Sequence, residues 1–191
     1  MIKLPAAITF FLGIFILIHT YSRGGWIFFI LAIILLTILL KKFLFLAFSL
    51  LITIVLGFKI DFFKFLIFKD AGRFELWDIS LKMIKAHPLL GNGIGTFMAL
   101  FRSFSPTRNI SYAHNCFLQL WAEAGLISLV IFLLFIFKTL NEGFLFYKKT
   151  KNPLFAILVC AIVAYLCHSF FDNHFFSSQL AFLFWVLIGL P

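Results

Sequence analysis

Residues 73–97 read RFELWDISLKMIKAHPLLGNGIGTF and residues 114–126 read HNCFLQLWAEAGL, two blocks with polar side chains and glycines in an otherwise mostly apolar sequence. Over all 191 residues, 63% are hydrophobic, 12% are charged and the mean hydropathy is +1.11. These values exclude an ordinary soluble protein and are typical of an integral membrane protein. The net charge of +9 comes from Lys and Arg beside apolar runs, which predicts lipid headgroups or phosphates as partners and no nucleic acid.

The apolar runs predict an all-α fold, a polytopic transmembrane bundle of about six helices, since ~20 residues cross a ~30 Å hydrocarbon core. We expect one membrane domain over residues 1–191, with spans at 4–19, 26–40, 43–58, 116–138, 153–170 and 175–190 and a long loop at 59–113. Seven lysines fall on one side of the membrane in this topology. Arg23 is the only Lys or Arg in the short loops on the opposite side. The positive-inside rule therefore predicts cytoplasmic termini and an outward-facing long loop.

Part of the long loop has the period of a helix. Its apolar side chains recur at spacings of three and four, namely Phe74, Trp77, Leu81 and Ile84. This pattern predicts an amphipathic helix at the membrane surface, with Asp70 as its N-cap and with Pro88 and the following glycines at its end. The GNGIG run at 91–95 follows no predicted strand, so it does not indicate a dinucleotide site.

Two arginines are candidates for binding an anion. Arg23 lies between two predicted spans, where a charge must snorkel, form a pair or bind an anion, and Gly24 and Gly25 permit close approach of a ligand. Arg73 lies in the first turn of the predicted surface helix, where a cation opposes the helix dipole unless an anion is also present. From spacing alone, an interfacial anchor that reaches lipid phosphate is the favoured reading of Arg23.

The second block contains a candidate base. His114 precedes the fourth predicted span at the outer membrane boundary, and an imidazole can take a proton from a hydroxyl group and then release it. Asn115 can orient the imidazole or bind substrate. The alternative is an amphipathic histidine placed at the interface. Glu123 lies ~13 Å further along a continuous helix, which excludes contact with His114 and favours a structural contact inside the bundle.

A loosely spaced group near the C-terminus resembles a set of metal ligands. His168 and Asp172 are one helical turn apart, and His174 follows them. Two or three such residues are weak evidence for a metal, so we expect a polar cluster and no metal site. Ser22, His114 and Asp172 can be drawn as a hydrolytic triad, but no nucleophile elbow supports this reading.

Three features of the sequence occur in a fixed order: SRGG after a span, the block at 73–97, and the block at 114–126 at the start of another span. Taken together, they resemble the O-antigen ligase family of bacterial membrane glycosyltransferases. The resemblance covers about residues 20–140. Members are generally about twice as long, and the chain resembles their C-terminal half. We therefore expect a fragment, a split reading frame or a shorter bundle that acts alone.

The resemblance implies transfer of a glycan from an undecaprenyl pyrophosphate carrier to lipid A-core or a similar acceptor, on the periplasmic side of the inner membrane. By matching motif positions, Arg23 and Arg73 look like the pyrophosphate-contacting arginines and His114 like the catalytic histidine, with Asn115 and Gly93 in supporting places. Arginine can grip phosphate oxygens with two parallel hydrogen bonds and stays charged, so no cofactor or metal is expected. The alternatives are an O-antigen polymerase, a non-catalytic lipid-binding or transport bundle, or an inactive fragment.

Overall fold

A computed structural model of the chain describes residues 3–20, 22–41, 72–104 and 112–189. All regular secondary structure in these residues is helical, and they contain no strand. The predicted all-α class is therefore confirmed for the described part of the chain. The chain divides into two compact units, Met1–Phe68 and Lys69–Pro191. The predicted span at 43–58 lies outside the described residues.

The first unit contains helices α1 (Lys3–His19) and α2 (Arg23–Leu40). Helix α2 begins three residues before the predicted boundary at 26 because Ser22 is its N-cap, and the Ser22 hydroxyl accepts a hydrogen bond from Gly25 N at 3.0 Å. Arg23 is therefore the first residue of a helix rather than part of a loop.

The second unit is built around one long helix. Its helices are α3 (Arg73–Ala86), α4 (Phe97–Phe104), α5 (Cys116–Thr150), α6 (Pro153–His168) and α7 (Ser178–Gly189), and a short 3-10 helix covers His174–Phe176. The fourth predicted span, 116–138, lies within α5, and the helix continues to Thr150. The short α4 was not predicted.

Two apolar cores flank helix α5. The first joins α3, α4 and the start of α5 and includes Leu76, Met83 and Phe101. The second joins α5, α6 and α7 through Ile136, Ile162 and Phe184. Helix α5 therefore holds the polar segment before it and the apolar helices after it in one unit.

The buried face of α3 differs from the predicted apolar stripe. The residues that α3 buries are Leu76, Ile79, Ser80, Met83 and Ile84. Of the predicted stripe, Phe74 is 68% exposed and Leu81 is 44% exposed. The helix has apolar side chains on more than one face, and the predicted stripe is divided, since Ile84 is buried in the core while Phe74 and Leu81 are exposed. The predicted N-cap was also wrong, because Gly72 occupies that position and makes no side-chain capping hydrogen bond.

Helix α5 is the one described helix that is long and apolar enough to cross a membrane. The shorter apolar helices Ile8–His19, Gly24–Leu40, Pro153–His168 and Ser178–Gly189 have 10–17 residues, so six spans are not confirmed. Many apolar side chains of α5 are on its surface, including Ile131, Leu134 and Phe137, which are 63%, 63% and 70% exposed. Such a continuous apolar exterior is unfavourable in water and is typical of a lipid-facing helix.

The glycine-rich turn after α3 packs against a kink in α5. Gly125 has a φ of 83° inside the helix, where the backbone leaves helical geometry. This exposes backbone groups that bond to the turn, since Leu126 N donates to Pro88 O at 3.0 Å and Gly93 N donates to Glu123 O at 2.9 Å. A Cβ atom on Gly91 would collide with the Glu123 carbonyl. The contact therefore requires glycine at the point where the two backbones meet.

Candidate functional site

His114 lies at the turn that leads into helix α5. Its φ of 50° places it in the left-handed region, which is uncommon for a residue with a side chain. Asn115 follows as the N-cap, and its carboxamide oxygen accepts from Phe117 N and Leu118 N, each at 3.0 Å. Asn115 is buried, and these contacts give it the role of a helix cap beside His114.

The start of α5 is bonded to the turn between α6 and α7. Cys116 N donates to Ser169 O at 2.8 Å, and the Cys116 thiol donates to Asp172 O at 3.1 Å. One buried side chain, Gln119, accepts from Ala113 N and from the Asn173 amide, both at 3.0 Å. These bonds hold the backbone around His114 and the backbone around Asp172 in a fixed relation.

The two side chains meet as a result. The Nδ1 atom of His114 lies 3.4 Å from the Oδ1 atom of Asp172. Their side chains are 43% and 50% exposed, so the pair is open on one side. The hydrogen bond from His114, followed by the one from Asn173 N, holds the pKa of Asp172 well below its usual range against the opposite effect of burial. The carboxylate is therefore ionised at neutral pH.

An ionised carboxylate at Nδ1 selects one tautomer of the imidazole. It favours the proton on Nδ1, which leaves a lone pair on Nε2 to accept a proton. The same carboxylate stabilises the imidazolium that forms when Nε2 is protonated. This arrangement can act as a general base and then as a general acid toward a group at its open side.

Arg73 lies close to this turn. It is the first residue of α3 and is partly buried, and its charge acts on His168 at the end of α6. The same region of α3 contacts the turn through Trp77, whose ring centroid lies 6.4 Å from that of Phe171. The second unit therefore brings Arg73 and the His114–Asp172 pair to one end of its helices.

The remaining predicted site residues are placed separately. Arg23 begins α2 in the first unit, and its side chain lies outside the described part of the structure. Gly93 lies in the turn packed on the α5 kink, where its backbone N–H bonds to Glu123 O. In this position Gly93 supports the fold around the site through its backbone.

Glu123 makes the structural contact that we expected. It is 3% exposed, and its Oε1 atom accepts a hydrogen bond from Phe97 N at 3.0 Å. Phe97 is the first residue of α4, so the carboxylate satisfies a backbone donor at the start of that helix. Cys116 and Gln119, which lie on the same face of α5 as Glu123 by their spacing of three and four, are also buried.

Asp172 is a candidate from the sequence alone, but its pairing with His114 is not predicted there by any supported motif. The two residues are 58 positions apart and belong to a turn and a helix start whose contact depends on tertiary packing. The available signal was a carboxylate in a polar turn, SFFDNHFF at 169–176, on the predicted outward side together with His114.

These features define a protein of membrane-protein composition whose described regular structure is all helical, with a histidine–carboxylate pair at the start of one helix and an arginine at the start of another in the same unit. The family profile described as O-Antigen ligase matches residues 8–133, which is more than half of the chain. The chain therefore belongs to the O-antigen ligase family, whose members are membrane-associated and act on lipid-linked glycans. The matched range includes Arg23, Arg73 and His114 and ends before Asp172. Searches of curated proteins and of solved structures found no match.

Proposed function

We propose that this protein transfers a glycan from undecaprenyl pyrophosphate to lipid A-core or a similar hydroxyl-bearing acceptor, at the periplasmic face of the inner membrane. The family match supports a glycosyltransferase-like enzyme, and the polytopic, lipid-facing arrangement is part of the proposal. The observation that carries the proposed chemistry is the half-exposed His114–Asp172 pair, with 3.4 Å between Nδ1 and Oδ1.

In the proposed reaction, Nε2 of His114 takes the proton of the acceptor hydroxyl. The acceptor oxygen attacks the anomeric carbon of the donor sugar, and the bond from that carbon to the pyrophosphate oxygen breaks. Undecaprenyl pyrophosphate leaves with the electron pair. Asp172 holds the His114 tautomer and stabilises its protonated form during this step.

The leaving group requires positive charge, because a diphosphate gains negative charge as the bond breaks. Arg73 is suited to this role because it begins α3, where the helix dipole also favours an anion. Arg23 begins α2 in the same way. Its proposed contact with the diphosphate depends on the family resemblance and is tested by its own variants.

The direct test is transfer by purified protein in lipid vesicles, given a lipid-pyrophosphate-linked glycan and lipid A-core. We expect His114→Ala to lower the rate by at least ~10²-fold, the usual contribution of a general base. The exposed His87 in the same unit provides the control variant His87→Ala, which should transfer at the wild-type rate. Equal rates for His114→Ala and wild type would refute the proposed mechanism.

The same assay separates ligase from polymerase activity. Ligation attaches the glycan to the core acceptor, whereas polymerisation lengthens the glycan on its lipid carrier. Product size with and without lipid A-core therefore distinguishes the two reactions. Lipid binding without any transfer would favour a non-catalytic bundle.

A further inference from the structure

A second cluster lies on the other side of Asp172. His168 ends helix α6, Asp172 is in the following turn and His174 begins the 3-10 helix. One potential ligand atom from each residue lies within 4.8 Å of those from the other two. The ring centroids of His168 and His174 are 4.2 Å apart. The fold therefore brings together the two imidazoles and the carboxylate that the sequence placed only loosely near one another.

A separate observation indicates that this cluster is incomplete as a hydrogen-bonded group. His174 is 7% exposed, and its Nδ1 atom has no hydrogen-bond partner among the described residues. A buried polar atom without a partner is costly, so such an atom often marks the place of a ligand or water.

The Asp172 carboxylate can accept the hydrogen bond from His114 and act as a ligand in this cluster at the same time. The hydrogen bonds from His114 and from Asn173 N both go to Oδ1. Coordination through Oδ2 therefore leaves the contact with His114 in place. The turn itself is preformed, because Phe171 N donates to His168 O at 2.9 Å and the Asp172 carbonyl is bonded to Cys116.

We propose that His168, Asp172 and His174 bind one divalent transition-metal ion of the zinc type. Two imidazoles and one carboxylate are a ligand set for zinc, with a fourth position left for water or an anion. Imidazole ligands disfavour calcium and magnesium, which prefer oxygen. Ligand atoms around tetrahedral zinc lie about 3.4 Å apart, so side-chain rotations must draw the three atoms together.

One nearby charge opposes a cation. Arg73 acts electrostatically on His168, and Asp172 supplies the negative charge that offsets it. The proximity of Arg73 also favours an anion over water in the fourth position. The site lies beyond the family match, which ends at residue 133. It shares Asp172 with the proposed transfer site, so metal binding is measured directly and not through the transfer rate.

The test is direct metal binding by the full chain in detergent, after chelator treatment. A zinc titration against a chromophoric chelator should give one Zn²⁺ per chain for the wild type, and Co²⁺ should give visible absorption bands of a four-coordinate site. We expect His174→Ala and His168→Ala each to weaken zinc binding by at least ~10-fold. The control His87→Ala should bind as the wild type does.

Two results would overturn the proposal. The first is a wild-type protein that binds neither stoichiometric zinc nor four-coordinate cobalt. The second is an equal loss of zinc affinity in His87→Ala and His174→Ala. Because His174 is buried, its variant can fail to fold, so the cobalt spectrum of the wild type is the measurement that needs no substitution. Zinc should also raise the thermal unfolding temperature of the wild type and leave that of His168→Ala unchanged.

Discussion

The imidazole of His114 and the carboxylate of Asp172 face each other at 3.4 Å although 58 positions separate them in the chain. This relation gives His114 a defined tautomer and an ionised partner, and it assigns Asp172 a positioning role in the proposed reaction. The contact is long for a hydrogen bond, and catalytic contacts of this kind often tighten when substrate binds.

The first prediction concerns Asp172→Asn. The amide has nearly the same shape but cannot stabilise an imidazolium, so we expect kcat to fall by about 10²–10⁴-fold with little change in the KM for the donor. Rates should be measured in metal-free buffer, so that loss of the proposed metal does not contribute. Asp172→Glu should recover part of the lost rate. An unaltered kcat in Asp172→Asn would contradict the positioning role of Asp172.

The second prediction concerns Arg73. Its planar guanidinium can make two parallel bonds to a diphosphate, which lysine cannot reproduce. We expect Arg73→Lys to raise the KM for the lipid-pyrophosphate donor by about 10-fold and Arg73→Ala to raise it further, since a hydrogen bond to a charged group contributes about 1.5–3 kcal/mol. Initial rates over a range of donor concentrations measure this effect.

Lys85 provides the matched control for Arg73. It is an exposed cation in the last turn of the same helix. Lys85→Ala should leave the KM for the donor unchanged. If both variants raised KM equally, a general effect of surface charge would explain the data and the specific role of Arg73 would be lost. Arg23→Lys and Arg23→Ala, measured in the same way, test the other proposed arginine.

Local features of the sequence predicted the helices but not their contacts. The apolar runs placed α1 and α6 to within two residues of their ends, because length and hydropathy are local properties. The periodicity of α3 did not predict which side chains enter the core, because that helix carries apolar residues on two sides and only packing against α5 distinguishes them. The His114–Asp172 pair depends on two hydrogen bonds that no spacing reveals. The Cys116 thiol donates one to Asp172 O, and the Gln119 side chain accepts the other from the Asn173 amide.

The third prediction uses two glycines with similar backbones. Gly91 and Gly95 have φ values of 72° and 77°, but a Cβ on Gly91 would strike the Glu123 carbonyl, whereas a Cβ on Gly95 would meet open space. Gly95→Ala should therefore lower the free energy of unfolding by about 1 kcal/mol through backbone strain alone. Gly91→Ala adds a backbone collision and should cost about 3 kcal/mol or more.

Thermal unfolding in detergent, followed by circular dichroism, measures both glycine variants. The larger loss for Gly91→Ala should be accompanied by disruption of the bonds that hold the turn on the α5 kink, such as that from the Asn92 amide to Ala122 O at 2.8 Å. Equal losses would show that backbone strain accounts for both changes and that the packing of the turn on the kink contributes little.

The fourth prediction separates a structural Glu123 from a catalytic one. Its Oε1 atom accepts from Phe97 N inside the first core, and glutamine keeps an oxygen at that place. Glu123→Gln should therefore transfer glycan at close to the wild-type rate. Glu123→Ala leaves a buried N–H at the start of α4 without an acceptor, which should cost about 1–3 kcal/mol of unfolding free energy.

The two Glu123 variants must be compared in both transfer and unfolding. If Glu123 is structural, the transfer rate of each variant should depend on its stability. The Ala variant should then regain the wild-type rate when it is assayed well below its unfolding temperature. A Gln variant that folds as the wild type does but transfers slowly would instead make the carboxylate part of the reaction. The burial of Glu123 and its bond to α4 favour the first result, because a side chain that caps a helix inside the core has no open path to substrate.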